Sequence, residues 1–287
     1  MDGADGVAHG SESVTSLRGN GFRPADAVCC RRQLEILKKF FLAILITGAA
    51  CTTAPASKTP IVFVHGNGGN SAQWRAQVAY FQKQGRPAMA IDLVPPPDGN
   101  LSLAAMAGSI DRAVPWKRFF IAGHSYGGAV VATYVAAHPE KIAGVIYVDS
   151  AAGKLPLTDK QKETIATRIR ADKMRFVHAW FEPMLKPSSS TVKEEVYSSV
   201  ERTPTEAFIG AFMSLTVFDA KALIDAYRGP RLAIVASDLE TPASFQNQFP
   251  EIETVRVSGA GHWVMLDKPD EVNVAIDTFL RKAELRH

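Results

Sequence analysis

The sequence lacks the features of a disordered, disulfide-linked or nucleic-acid-binding protein. It has only three cysteines in 287 residues, too few for a disulfide scaffold. Disorder would require fewer apolar residues than the 46% present and a larger net charge than +3. No run of lysine and arginine exceeds two residues, whereas a nucleic-acid-binding protein usually carries a basic stripe. These absences favour one globular domain whose partner is a neutral or apolar small molecule and not a nucleic acid.

An apolar run long enough to span a membrane is also missing near the N-terminus. The stretch FFLAILITGAA at residues 40–50 is shorter than the roughly 20 residues that a bilayer requires. Basic residues precede it and small residues follow, which is typical of a secretory signal peptide, with a short buried helix as the alternative. Cys51 follows Gly48-Ala49-Ala50, a sequence similar to a bacterial lipoprotein processing site. We expect residues 1–57 to form an N-terminal extension and signal peptide. The mature protein would then be exported to the periplasm, the medium or the cell envelope, with Cys51 as a candidate lipid anchor.

From residue 58 to residue 287, short β-branched runs alternate with longer helical patterns. The predicted strands are 61–64, 88–91, 119–122, 145–148, 232–235 and 254–257, and the predicted helices lie near 74–84, 101–113, 127–137 and 270–282. Such alternation is typical of a mostly parallel sheet with helices on both faces. We therefore predict an α/β domain, a three-layer α/β/α sandwich with about six strands.

One interval, at about 151–229, breaks this alternation. It shows no convincing strand and places aromatic residues at helical spacing, including Phe176, Trp180, Phe208 and Phe212. These side chains could simply pack against the sheet. The functional alternative is a helical cap, inserted before the last strands, whose apolar face covers a substrate pocket.

The strongest local motif is GHSYGG at residues 123–128, directly after a predicted strand and before a helix of small residues. A Gly-x-Ser-x-Gly sequence in this context predicts a sharp, strained turn that exposes the serine hydroxyl at the carboxyl edge of the sheet. The turn requires glycines because a Cβ on either side would clash with neighbouring elements. Ser125 is therefore the candidate nucleophile, with a structural serine as the alternative.

A serine hydroxyl needs a base within hydrogen-bond reach to become a good nucleophile. His262, in the segment SGAGHW at 258–263, follows the last predicted strand and is the candidate general base. Among the competing histidines, His9 and His287 lie at chain ends, His178 lies in the cap and His138 precedes a proline. His124 adjoins the serine, but we expect its side chain to point away on the turn.

Attack on an ester carbonyl also creates an oxyanion that needs hydrogen-bond donors. The segment HGNGGN at 65–70 follows the first predicted strand and leaves backbone amides free to face a cavity. We predict that the main-chain amides of Asn67 and Tyr126 are the donors. Phosphate binding is the alternative for a glycine-rich loop, but the Lys-Ser/Thr of a P-loop is missing.

Taken together, these motifs resemble those of the α/β-hydrolase superfamily. The resemblance covers about residues 60–282 and includes His65-Gly66 after a strand, Asp92 ending the next, the serine turn, and Gly261-His262 before Pro269. The two antiparallel strands that begin the fuller family sheet are missing from this pattern. Members that open epoxides or displace halide carry an aspartate at the nucleophile position, so Ser125 argues against both reactions.

The resemblance also implies an acid that orients the histidine, and three residues compete for this role. Asp238 stands four residues before Pro242, as the family acid often does, and is preferred. Glu240 fits a direct count from the strand end, and Asp149 ends the strand before the cap, where some members carry the acid. The acid would fix the tautomer of His262 and stabilise its protonated form.

The expected activity is that of a carboxylesterase-like serine hydrolase acting on a small ester through an acyl-enzyme. Ser125, His262 and Asp238 would be catalytic, and Asn67 and Tyr126 would form the oxyanion hole. No metal or organic cofactor is implied. Alternatives with the same triad are a lactone hydrolase, a carbon–carbon bond hydrolase or a perhydrolase. An alternative of another class is a non-enzymatic ligand receptor on the same scaffold. The sequence does not indicate the oligomeric state.

Overall fold

A computed structural model of the protein describes residues 58–239 and 241–285. The predictions for the N-terminal extension, the signal peptide and Cys51 concern residues 1–57 and lie outside the described residues. Glu240 and the side chain of Asp238 lie outside them as well.

The central sheet has six strands, and all of them run parallel. They are β1 (Ile61–Val64), β2 (Ala88–Ile91), β3 (Phe119–His124), β4 (Ile142–Val148), β5 (Arg231–Ala236) and β6 (Glu253–Val257). Their order across the sheet is β2-β1-β3-β4-β5-β6. The predicted parallel α/β architecture is confirmed, and each predicted strand matches an observed one. The carboxyl ends of β1, β3 and β4 lie side by side, so the loops that follow them share one edge of the sheet.

Helices cover both faces of the sheet. In chain order they are α1 (Arg75–Lys83), α2 (Leu103–Ala113), α3 (Tyr126–Ala137), α4 (Asp159–Ala171), α5 (Lys173–Leu185), α6 (Ser190–Arg202), α7 (Thr205–Ser214), α8 (Lys221–Ile224), α9 (Phe245–Gln248), α10 (Val264–Asp267) and α11 (Pro269–Glu284). Helices α1 and α11 pack on one face with Ile61 and Phe63, and α2 and α3 pack on the other with Val62 and Val64. Because both faces are covered, successive residues of β1 are all buried, which explains the continuous apolar run.

Helices α4–α8 all lie between β4 and β5, and we refer to them as the cap. Three of these helices begin at side-chain caps that the sequence encodes. The side chains of Thr158, Asp172 and Ser189 each accept a hydrogen bond from a backbone amide in the first turn of the helix that follows. These side-chain hydrogen bonds fix the residues at which α4, α5 and α6 start. Within the described ranges, every helix is too short or too polar to cross a membrane.

Candidate active site

Ser125 lies on a strained turn between β3 and α3. Its φ of 53° is in the left-handed region, which is uncommon for a residue with a Cβ. The Ser125 backbone amide donates to the carbonyl oxygen of Val148 on β4, at 3.0 Å, and holds the turn against the sheet. The turn also needs a glycine at position 127, where a Cβ would collide with the backbone oxygens of Val64 and His65. The predicted strand–turn–helix geometry is therefore present.

The Ser125 hydroxyl is hydrogen-bonded to His262, which is in turn hydrogen-bonded to Asp149. The Ser125 hydroxyl lies 2.8 Å from Nε2 of His262, and Nδ1 of His262 lies 2.6 Å from Oδ2 of Asp149. A carboxylate can only accept, so Nδ1 carries the proton and Nε2 is free to accept from the serine hydroxyl. The Asp149 and His262 side chains are largely buried, with 10% and 16% of their surface exposed. This is the arrangement that lets an imidazole take a proton from a serine.

The position predicted for Asp238 is filled by Asp149, the second of the three candidate acids. Asp149 follows the end of β4 with a φ of 45°. Its Oδ1 accepts from the backbone amide of Ala236 at 3.2 Å, which orients Oδ2 toward His262. Nδ1 carries a single proton, and its hydrogen bond to Asp149 uses that proton. The preference for Asp238 is therefore corrected, because the one proton on Nδ1 of His262 is bonded to Asp149. Asp238 belongs to a short turn of helix after β5 (Ser237–Leu239), and its side chain is not among those described.

The loop that carries His262 is fixed by its backbone. The His262 amide donates to the carbonyl oxygen of Met184 at the end of cap helix α5, at 2.9 Å. Asp267 accepts from the Gly261 amide and from the Ser188 hydroxyl, both at 2.8 Å. Sequence reasoning missed these contacts, because no motif marks a carbonyl or a carboxylate that supports a neighbouring loop.

His124 also supports His262, contrary to the expectation that its side chain would point away from the site. Its Nε2 donates to the backbone oxygen of His262 at 2.9 Å, and the two ring centroids are 4.8 Å apart. Burial, and then the neighbouring His262, hold the pKa of His124 well below its usual value. His124 is therefore neutral, so it adds no second positive charge when His262 binds a proton.

The glycine-rich loop at 65–70 follows β1 and faces the serine turn. Asn67 and Tyr126 both line the cavity that contains Ser125, and the role of their main-chain amides as oxyanion donors stays a prediction. The Asn67 side chain donates to the carbonyl oxygen of Phe208 in the cap at 3.1 Å, and this contact orients the residue. His65 bridges the loop to the end of β2: its Nδ1 donates to Gly66 and its Nε2 accepts from the Leu93 amide. Burial lowers the pKa of His65 and keeps it neutral, as this pair of hydrogen bonds requires.

The cavity over Ser125 has a volume of about 380 Å³. Its apolar lining includes Trp180, Phe181, Met184, Phe208 and Phe212 of the cap helices, together with Leu155, Leu215 and Trp263. Its volume falls near the lower end of the range for small-molecule sites, about 300–1,000 Å³. Across residues 58–239 and 241–285, no group of three or more His, Cys, Asp or Glu residues is placed to hold a metal ion.

Comparison with curated proteins finds relatives with several activities. The chain is 26% identical over 248 residues to the dihydrolipoyllysine-residue acetyltransferase component of an acetoin cleaving system from Pseudomonas putida. That alignment covers 78% of this chain and 64% of the component, so the chain spans less than two thirds of it. It is 24% identical over 261 residues to an sn-1-specific diacylglycerol lipase from Xenopus laevis, covering 78% of this chain and 80% of the lipase.

Solved structures share the fold. A thermophilic esterase from Thermogutta terrifontis superposes with a TM-score of 0.67 at 22% identity, covering 79% of this chain and 91% of the esterase. A bromoperoxidase from Bacillus anthracis gives the same TM-score at 16% identity, covering 78% of this chain and 92% of that one. The sequence profile of the alpha/beta hydrolase family matches residues 61–275. The chain belongs to the alpha/beta hydrolase family.

Proposed function

We propose that this protein is a serine hydrolase that cleaves carboxylic esters of neutral or apolar small molecules. One observation carries the proposal: the hydrogen-bonded line of Ser125, His262 and Asp149 opens into a cavity lined by apolar cap residues. The esterase and lipase among the similar proteins support this class of substrate.

The proposed reaction has two halves. Oγ of Ser125 attacks the ester carbonyl while its proton passes to Nε2 of His262, and the amides of Asn67 and Tyr126 stabilise the oxyanion. The bond to the leaving alcohol then breaks as His262 returns the proton to the alcohol oxygen. Water attacks the acyl-enzyme in the second half, with His262 again as base, and releases the acid and free Ser125. Asp149 orients His262 throughout and stabilises its protonated form.

The cavity favours a compact, uncharged substrate. Its lining includes the indoles of Trp180 and Trp263 and the rings of Phe181, Phe208 and Phe212, so burial of apolar substrate surface would supply most of the binding energy. Among the described residues that line it, the ionisable side chains are Asp149, His262, the neutral His124 and the phenol of Tyr126. Burial raises the pKa of Tyr126 to about 12, so this phenol is also uncharged. A charged acyl group would lose its hydration here, and the apolar side chains among the described lining residues would offer it no partner.

The experiment is a series of p-nitrophenyl esters of increasing acyl length, with wild type compared to Ser125→Ala. We expect turnover by wild type and a loss of at least about 10⁴-fold in Ser125→Ala. Exposed Ser258 offers a matched control, and Ser258→Ala should retain wild-type turnover. A fluorophosphonate should label Ser125 in wild type and in this control. Undiminished turnover in Ser125→Ala would refute the proposal.

Three further assays separate the alternatives: hydrolysis of a lactone, cleavage of the carbon–carbon bond of a diketone, and formation of a peracid. Each reaction would use Ser125 and His262, so the substrate with the highest kcat/KM identifies the activity. A ligand receptor on this scaffold would bind its ligand without hydrolysing it, and its Ser125→Ala variant would bind the ligand as tightly as wild type.

We also propose that residues 1–57 direct export and that Cys51 is a candidate lipid anchor. The support is the basic flank, the short apolar stretch at 40–50 and the small residues before Cys51. N-terminal sequencing of the mature protein tests this, because export requires cleavage near residue 50. Mature protein that keeps residues 1–50 would contradict it.

A further inference from the structure

Ser199, on cap helix α6, makes two hydrogen bonds to the glycine-rich loop. Its side chain is almost fully buried, with 3% of the residue exposed. Its hydroxyl donates to the carbonyl oxygen of Gly68 at 2.8 Å and accepts from Nδ2 of Asn70 at 2.9 Å. One hydroxyl therefore satisfies a backbone acceptor and a side-chain donor two residues apart in the same loop.

The helix also packs closely against this loop. Gly68 has a φ of +72°, and a Cβ at this position would lie 2.7 Å from Cγ2 of Val200. The cap thus contacts the loop backbone directly, at the residue next to Asn67. Just beyond the loop, Arg75 makes a two-pronged ion pair with Glu195 of the same helix, at 2.5 and 2.7 Å.

Ser199 does not line the cavity that holds Ser125. It lines a neighbouring cavity of about 360 Å³, together with the glycine-rich loop. Any effect of Ser199 on the reaction must therefore pass through the loop. The relevant part of the loop is the backbone amide of Asn67, one of the two proposed oxyanion donors.

We propose that Ser199 is a positioning residue that holds the glycine-rich loop so that the Asn67 amide points at the oxyanion. This inference rests on the proposed function. The cap then has a second task besides lining the pocket, because one of its helices sets the geometry of the oxyanion hole. Without the Ser199 hydroxyl, the backbone carbonyl of Gly68 and the side-chain amide of Asn70 each lose a buried hydrogen-bond partner. The loop then relaxes to regain hydrogen bonds elsewhere.

The test compares Ser199→Ala with wild type on p-nitrophenyl acetate, with each protein normalised by complete fluorophosphonate titration of active sites. A 1 Å displacement of a catalytic group costs about 100-fold in rate, and loss of one oxyanion donor costs about 100–1,000-fold. We expect kcat to fall about 10–100-fold with little change in KM, because the donor acts in the transition state. The affinity for a trifluoromethyl ketone, which forms a tetrahedral adduct, should fall by a similar factor.

Neighbouring residues supply the controls. Ser198 precedes Ser199 on α6, but its hydroxyl contacts Arg202 instead of the loop, so Ser198→Ala should keep wild-type kcat. Ser199→Thr retains the hydroxyl and should recover most of the activity. If Ser199→Ala does not fold, Asn70→Ser replaces it: serine can still cap the turn of helix at Ser71–Trp74 but does not reach Ser199.

Three results would overturn the proposal. They are a titrated kcat within twofold of wild type, an equal loss in Ser198→Ala, or a change in KM alone. Ser125→Ala separates this inference from the proposed function. If Ser125→Ala is inactive while Ser199→Ala matches wild type, only the positioning role of Ser199 fails. If Ser125→Ala remains active, the proposed function fails and the positioning role fails with it.

Discussion

The sheet edge and the cap contribute to the candidate site in different ways. The sheet edge supplies the side chains of the hydrogen-bonded line, since Ser125 follows β3, Asp149 follows β4 and the His262 loop follows β6. The cap supplies most of the apolar lining and the outer support of two loops, through Met184 and Ser199. Parallel strands fix their carboxyl ends through many backbone hydrogen bonds, whereas the cap rests on side-chain packing and a few polar contacts. Reaction chemistry should therefore depend on the sheet edge and on the Ser199 contact that supports its glycine-rich loop, and substrate choice on the aromatic lining that the cap contributes.

Among changes that leave Ser125 in place, the largest effect is expected at Asp149. Asp149→Asn keeps the shape of the side chain but removes the charge that fixes the His262 tautomer, so we expect kcat to fall about 10⁴-fold. Asp238→Asn and Glu240→Gln are matched carboxylate-to-amide controls and should retain near wild-type kcat for p-nitrophenyl acetate. A loss in Asp238→Asn as large as that in Asp149→Asn would contradict the assignment and return Asp238 to the role of acid.

A smaller effect is expected at Trp180 in the cap. Its indole lines the cavity although 43% of the residue is exposed, so its removal changes the pocket more than the core. In Trp180→Ala, we expect KM to rise about 10-fold for the longer acyl esters, because contact with a few methylenes is lost. KM for the acetate ester should stay the same. Exposed Val217 does not line this cavity, so Val217→Ala is the control; a changed kcat for the acetate ester in Trp180→Ala would break the division between sheet edge and cap.

The buried histidines of the sheet edge predict a pH dependence of stability. Burial lowers the pKa of His65 and of His124, so both stay neutral in the folded protein while the unfolded chain binds protons below about pH 6.5. Above that pH, these two groups should add no pH dependence to the free energy of unfolding. Below it, the free energy should fall, by up to about 1.4 kcal/mol per pH unit for each histidine.

Urea unfolding between pH 5 and pH 7 measures this slope. His124→Gln can place an amide donor near the position of Nε2, and His65→Asn can do the same for Nδ1. Each variant should lose one histidine's share of the slope. An unchanged slope in both variants would show that these two groups do not titrate as described.

The smallest effect is expected at an exposed ion pair within the cap. Arg170 and Glu206 join α4 to α7 with contacts of 2.8 and 2.9 Å, yet more than half of each side chain is exposed. Solvent screens such pairs. Glu206→Gln should therefore leave the urea midpoint within the error of the measurement. A large drop would indicate that the cap depends on surface charge instead of packing.

The sequence predicts the sheet better than the surroundings of the site. The strand at 61–64 is predicted to the residue because its four positions are buried on both faces and Pro60 precedes it. Ser125 and His262 are also predictable, since the strained turn and the loop after the last strand carry local signals. The acid is different: whether Nδ1 of His262 meets Asp149 or Asp238 depends on how the ends of β4 and β5 lie in space. Ser199 carries no local signal, because its role comes from a helix packing on a loop more than 120 residues away in sequence.

The most direct test of Ser125 as the nucleophile is to trap the acyl-enzyme. Wild-type protein mixed with excess p-nitrophenyl acetate and quenched in acid within the first turnovers should gain the mass of one acetyl group, and peptide mapping should place it on Ser125. Ser125→Ala should gain none. Steady turnover by wild type with no acyl group on Ser125, or with the group on another residue, would contradict hydrolysis through an acyl-enzyme at Ser125.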